Sequence, residues 1–173
     1  TDDTGCYSFR RLLITDVNND GKPDIVGACH GTDIPEFQQN LLYHLEPSRL
    51  YLSTESGRYT NTEIPGTVGY AHGGTVGDIN GDDNVDLILG RLGIWNEHTA
   101  LLVFMGDGNG NFVIDNSRVA LKGATGSIGY AIWTVDLIKL KGDTLPTLFV
   151  SASINETWCA PIKCDTPPQL LKN

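Results

Sequence analysis

Short apolar runs, closed by glycine and separated by acidic, asparagine-rich segments, set the rhythm of this chain. Asp24-Ile-Val-Gly and Asp86-Leu-Ile-Leu-Gly are β-type runs that end on glycine. Arg49-Leu-Tyr-Leu-Ser and Leu101-Leu-Val-Phe-Met are further apolar runs. Each leads into a glycine-bearing turn, at Gly57 or Gly110, and then into a short aromatic-containing segment. Run, turn and return run predict a hairpin. Residues 31–47 are ambiguous. Asp33 followed by Glu36 resembles a helix capping box, with Pro35 in the first turn and Pro47 as a stop, yet Leu41, Tyr43 and Leu45 alternate as in a strand. With 20 Gly and one Met, propensity favours strands joined by turns. No run of 18 apolar residues is present, so no transmembrane segment is expected.

The pattern repeats. The acidic windows 16–24 and 78–86 align residue for residue, and Gly69-Tyr70-Ala71 recurs as Gly129-Tyr130-Ala131. A third, eroded copy aligns with its first acid at Asp136 and runs on to Val150. The unit is about 60 residues: strand, acidic loop, strand, excursion, strand, turn, strand. Four short antiparallel strands per repeat predict an all-β chain of β-propeller blades, each of which must stack on its neighbours to bury its faces. The repeats divide the chain into a first blade with an insertion at 1–65, a second at 66–124, a degenerate partial third at 125–157, and a Cys/Pro-rich tail at 158–173. Three repeats fall short of the roughly four to eight that close a ring, so further blades or other chains are expected as partners.

Charge changes the picture. The 21 Asp and Glu outnumber the 12 Lys and Arg, for a formal net charge of −9, which argues against a nucleic-acid partner. Seven of those 21 acids lie in the two nine-residue windows. In the pattern D-x-N-x-D-G-x-x-D, oxygen side chains fall at positions 1, 3, 5 and 9, and position 7 presents a backbone carbonyl. Hard oxygen donors in that number suit Ca²⁺ better than Mg²⁺, and no thiolate or imidazole is there for softer metals. The expected ligands are Asp16, Asn18, Asp20 and Asp24 with the Lys22 carbonyl, and Asp78, Asn80, Asp82 and Asp86 with the Asn84 carbonyl. Asp83 replaces glycine at position 6 of the second loop, where positive φ is expected. The third copy, with Ile138, Lys139, Leu140 and Lys141 around its ligand positions, is expected to hold no metal. An EF-hand or dockerin loop needs an acid at position 12, and Gly27 and Leu89 stand there instead.

Catalytic patterns are thin. His30, His44, His72 and His98 fall in no metalloprotease or triad-like motif, so no catalytic residue is assigned and the chain is read as non-enzymatic. Arg91, Trp95, Asn96 and Trp133 are candidates for a glycan-binding rim. Asn155-Glu-Thr is an N-glycosylation sequon. Cys6, Cys29, Cys159 and Cys164 allow three disulfide connectivities, or four reduced thiols.

The two loop motifs, their strand contexts and the turns at Gly57 and Gly110 resemble the FG-GAP/VCBS repeats of integrin-α-type β-propellers over most of residues 7–155. The resemblance implies that the acidic loop joins two adjacent antiparallel strands, so that residues 9–15 pair with 24–29. Cys6 then approaches Cys29, leaving Cys159 with Cys164. It also implies two structural Ca²⁺ ions, an extracellular, cell-surface or periplasmic location, and adhesion or recognition of a protein or glycan ligand. Part of a secreted, polysaccharide lyase-like enzyme and a structural subunit of a surface assembly or filament are the alternatives.

Overall fold

The computed structural model describes residues 5–31, 45–91, 100–118, 130–139, 141–154 and 169–171. They form three antiparallel sheets. The first holds β1 (Phe9–Thr15), β2 (Asp24–Cys29), β3 (Arg49–Ser53) and β4 (Tyr59–Glu63) in sequential order. The second repeats that order with β5 (Ala71–Gly77), β6 (Asp86–Arg91), β7 (Leu101–Gly106) and β8 (Phe112–Ile114). The third is three-stranded, with β10 (Thr147–Ile154) between β9 (Tyr130–Ile138) and β11 (Gln169–Leu171). The expected pairing of 9–15 with 24–29 is the one observed, in register from Thr15↔Asp24 to Phe9↔Cys29. Among the described residues the helical content is a 3₁₀ turn at Asn116–Arg118, and the residues whose helix or strand character was ambiguous lie largely outside them. The arrangement is three successive sheets, without a closed ring among the described residues.

Both expected hairpins form. Thr54 and Asp107 open five-residue turns, closed by Thr54 N to Arg58 O at 2.7 Å and Asp107 N to Asn111 O at 3.2 Å. Gly57 (φ 73°) and Gly110 (φ 87°) take the same left-handed position in the two turns, a conformation that costs glycine nothing.

The second sheet lies between the other two, and its sequence reflects that. Every residue of β6 is buried. Leu87 and Leu89 pack with Leu13, Val26 and Leu50 of the first sheet, whereas Ile88 packs with Ile132, Val135, Leu148 and Val150 of the third. A strand covered on both faces reads as a continuous apolar run. Gly73 permits the close approach to β9, since a Cβ there would stand 3.0 Å from the Val135 backbone nitrogen. The outer face of β1 is left open, with Leu12 57% and Ile14 70% exposed.

The third repeat departs from the alignment read in the sequence. Asp136 was expected to open its loop, but it lies within β9, paired with Phe149. The pair preceding the loop is Ile138↔Thr147, the counterpart of Thr15↔Asp24 and Gly77↔Asp86. Lys139 therefore stands at position 1 and Thr147 at position 9. Backbone geometry agrees: position 4 has positive φ in all three loops, at Asn19 (58°), Gly81 (84°) and Gly142 (94°). The misalignment arose because Asp136 is an acid near the right place. It serves instead as the partner of Arg11, whose Nη2 lies 2.6 Å from its Oδ1.

Candidate metal centre

Each acidic loop leaves the end of a sheet's first strand and returns as the second. In the first loop, Asp16 accepts hydrogen bonds from the N–H groups of Asp20 (3.1 Å) and Gly21 (2.8 Å). Asn18 Oδ1 accepts from Asp20 N at 3.3 Å, and Asp20 Oδ1 from Lys22 N at 2.9 Å. The second loop repeats this lattice. Asp78 accepts from Gly81 N (2.6 Å), Asp82 N (3.3 Å) and Asp83 N (3.0 Å). Asn80 Oδ1 accepts from Asp82 N at 2.9 Å, and Asp82 Oδ1 from Asn84 N at 2.8 Å. Side chains at positions 1, 3 and 5 are thus turned back onto the loop backbone in both copies, the short-range bonding that Asp and Asn favour in turns.

Position 9 behaves differently. Asp24 is 0% exposed and Asp86 1%. Asp24 Oδ2 accepts from Val17 N (2.9 Å) and its Oδ1 from Ser53 N (2.8 Å). Asp86 Oδ2 accepts from Ile79 N and its Oδ1 from Gly106 N, both at 2.9 Å. Burial pushes the Asp86 carboxyl above the usual range against those two donors, and the charges of Asp82 and Asp78 push it further. Asp82 is held below its ordinary value, chiefly by the Asn80 side-chain amide, 2.9 Å from its Oδ2.

The second loop's positive φ at position 6 falls on Asp83 (64°), as expected, whereas the first loop has Gly21 there (81°). At position 4 the roles reverse, with Asn19 in the first loop and Gly81 in the second. Each loop therefore has two left-handed residues, and gives glycine to one of them.

Among the described residues, no three His, Cys, Asp or Glu side chains are drawn together into a ready metal cage. Asp16 Oδ1 and Oδ2 each accept from one loop N–H and keep a lone pair to offer, whereas Asp78 Oδ1 already accepts from three, those of Asn80, Gly81 and Asp82. Side-chain donors at positions 1, 3, 5 and 9 are all oxygens, a set that fits a hard divalent cation and no soft one. Lys22, at position 7 of the first loop, places its Nζ 3.8 Å from Asp20 Oδ2 and 3.7 Å from Glu55 Oε1. In the third loop, Lys139 and Lys141 at positions 1 and 3 and Thr147 at position 9 supply no comparable set.

The two loops meet. Asn19 Nδ2 donates to Asn84 Oδ1 at 3.2 Å, and the turn at Gly108 packs against both residues. That turn contains a feature not singled out in the sequence. Asp107 Oδ1 accepts from Asn109 N (2.8 Å) and Asn111 N (3.0 Å), and the Asn111 side-chain amide, 2.7 Å from Oδ2, is the main cause of its lowered pKa. The signal was the spacing Asp107-Gly-Asn-Gly-Asn, a second short-range Asp/Asn pattern.

Other expected residues divide clearly. Cys6 and Cys29 form a disulfide, with Cα atoms 5.8 Å apart, tying the segment before β1 to the end of β2. Cys159, Cys164, Asn155, Trp95, Asn96, His44 and His98 lie outside the described residues. Arg91, expected at a rim, is buried, and its Nη1 donates to Val68 O at 2.9 Å. Burial lowers its pKa. No helix among the described residues is long and apolar enough to cross a membrane.

Residues 16–89 match the family described as the FG-GAP-like repeat, and no curated protein matches the chain. The matched segment begins at Asp16, position 1 of one acidic loop, and ends three residues past Asp86, position 9 of the other. The match to the FG-GAP-like repeat therefore spans the whole region that contains both acidic loops.

Proposed function

We propose that the chain is a calcium-stabilised segment of a β-propeller, working outside the cell, at its surface or in the periplasm, as a non-enzymatic module that recognises a protein or glycan ligand. The observation that carries the calcium reading is the doubled loop: two copies, 62 residues apart, with the same internal bonding and a fully buried Asp at position 9. Duplicated turns that served only to reverse the chain would have no need to bury a carboxylate beside two others. A bound Ca²⁺ would supply the positive charge that balances Asp16, Asp20 and Asp24, and likewise Asp78, Asp82 and Asp86. The residues themselves pre-shape the loop and fasten it to the sheet.

The Cys6–Cys29 disulfide supports an oxidising compartment, where extracellular calcium sites with a Kd on the order of 0.1–1 mM are filled. The open face of β1, with Leu12 and Ile14 exposed, supports further blades or other chains completing the ring. Titration calorimetry with CaCl₂ on protein stripped with EDTA tests the calcium reading. Two equivalents are expected, and Asp16→Asn with Asp78→Asn removes both. Absence of binding heat in the parent chain overturns it.

A further inference from the structure

The two acidic loops belong to different sheets and start 62 residues apart, yet they touch. Side chains at positions 1, 3 and 5 turn back onto their own loop. Asn19, at position 4 of the first loop, and Asn84, at position 7 of the second, reach across instead, with Asn19 Nδ2 donating to Asn84 Oδ1 at 3.2 Å. The next junction repeats this placement without the polarity. Gly81, at position 4 of the second loop, stands beside Leu145, at position 7 of the third, and a Cβ on Gly81 would lie 3.4 Å from Leu145 Cδ2. Position 4 of one loop thus meets position 7 of the next at both junctions. The amide pair stands at the junction where both loops carry the acidic set.

The bridge is roofed. Gly108, second residue of the β7–β8 turn, is buried, and a Cβ there would collide with Asn84 Oδ1 and stand 2.7 Å from Asn19 Nδ2. Backbone lying over an amide pair keeps water from competing for it. The same place in the first sheet's turn is taken by Glu55, whose side chain is 98% exposed. The roof is also fastened to the second loop, because Gly106 N, two residues before Gly108, donates to Asp86 Oδ1 at 2.9 Å.

Both asparagines sit where the loops present their oxygens. Asn19 lies between positions 3 and 5 of its loop, Asn18 and Asp20. Asn84 carries the position 7 carbonyl, and its N–H is held by Asp82 Oδ1 at 2.8 Å. Ordering one loop fixes one half of the bridge, and with it the backbone from which the other loop's oxygens project.

We propose that the Asn19–Asn84 bridge makes the two acidic loops one conformational unit, so that ordering either loop orders the other and two cations bind with positive cooperativity. The loop ordered first fixes its asparagine, and the second then has less conformational freedom to lose. Cations in neighbouring loops also repel, but Asn19, Asp20, Asp82 and Asp83 are exposed, and at 0.15 M salt a screening length of about 8 Å weakens that opposition. The cooperativity rests on the calcium reading above, whereas the coupling of loop order needs no metal.

Two measurements on the full chain test it. In EDTA, amide hydrogen exchange followed by NMR reads the Gly21 and Lys22 N–H groups of the first loop. Asp78→Ala, which removes the acceptor of the Gly81, Asp82 and Asp83 N–H groups, is expected to speed that exchange at least about fivefold. In an Asn19→Gly background it is expected to have no effect. Glycine already stands at position 4 of the second loop with positive φ, so that variant keeps the turn. Asn84→Leu, the third loop's residue at position 7, gives the same uncoupling by a second route. Calorimetric titration with CaCl₂ in 0.15 M KCl then reads the cations. Asp78→Ala is expected to weaken the ion left in the first loop, and Asp16→Ala the ion left in the second, by the same factor of at least about five, as linkage requires. In Asn19→Gly neither weakening remains. First-loop exchange or affinity that ignores Asp78→Ala, tightens with it, or still responds to it in Asn19→Gly overturns the proposal. Absence of calcium heat in the parent chain overturns the calcium reading and the cooperativity together, while exchange in EDTA decides the bridge by itself.

Discussion

Asp24 reaches out of its own loop to the end of β3, where its Oδ1 accepts a hydrogen bond from Ser53 N at 2.8 Å. Asp86 does the same to Gly106 at the end of β7, at 2.9 Å. The position 9 acid is therefore a clasp between loop and sheet as well as a ligand candidate. Asp24→Ala leaves the N–H groups of Val17 and Ser53 without their acceptor, at about 1–3 kcal/mol each. Urea unfolding should show a loss of roughly 2–5 kcal/mol in EDTA as well as in calcium. A loss confined to calcium would mean that the clasp contributes nothing by itself.

Asp83 holds φ at 64°, the left-handed position that Gly21 takes in the first loop. Asp tolerates this conformation and a β-branched residue does not. Asp83→Val should destabilise by about 1–2 kcal/mol, whereas Asp83→Gly should be neutral or slightly stabilising. Thermal melts of the two variants decide it, and equal melting temperatures would contradict the strain argument.

Gly73 fixes how closely the second and third sheets approach, because a Cβ there would stand 3.0 Å from Val135 N and 3.3 Å from Thr134 Cα, both backbone atoms that cannot swing away. Gly73→Val should cost about 1–3 kcal/mol by overpacking, visible as a lower urea midpoint. Gly57→Ala, with open space around its Cβ but φ of 73°, should cost about 1 kcal/mol through backbone strain alone.

The Cys6–Cys29 disulfide closes a loop with a sequence separation of 23. On the chain-entropy account, replacing both cysteines with serine should cost about 3 kcal/mol, and dithiothreitol should lower the melting temperature of the parent to match. A parent chain indifferent to reductant would show that the bond adds nothing to stability.

Much of this was legible because the informative residues repeat locally. The acidic loops show as short repeated motifs and the hairpins at Gly57 and Gly110 as run, turn and return run, while the pairing of 9–15 with 24–29 came through the resemblance that those motifs carry. What the sequence concealed is non-local. Asp136 passed for a loop acid because nothing in its own neighbourhood reveals Arg11, 125 residues away. Arg91 has the composition of a rim group, and its burial depends on Val68 and Gly69 in another segment. The register shifts at Phe9/Arg11 of β1, at Ala71/Gly73 of β5 and opposite Ser151/Ala152 in β9 are invisible to a period-two pattern, since an extra residue in a strand leaves no mark until its partner strand is known.

The central claim is that two cations complete the fold of the first two repeats. Its most direct test is the melting temperature of the EDTA-stripped chain as calcium is added. Each site should add about 1.4 kcal/mol when free calcium stands tenfold above Kd. Melting should therefore rise steadily with calcium, fall back with EDTA, and lose its calcium dependence when Asp16 and Asp78 are both changed to Asn. A melting temperature that stays the same from EDTA to 10-fold excess calcium over the expected Kd range, on the order of 10 mM, would contradict the account.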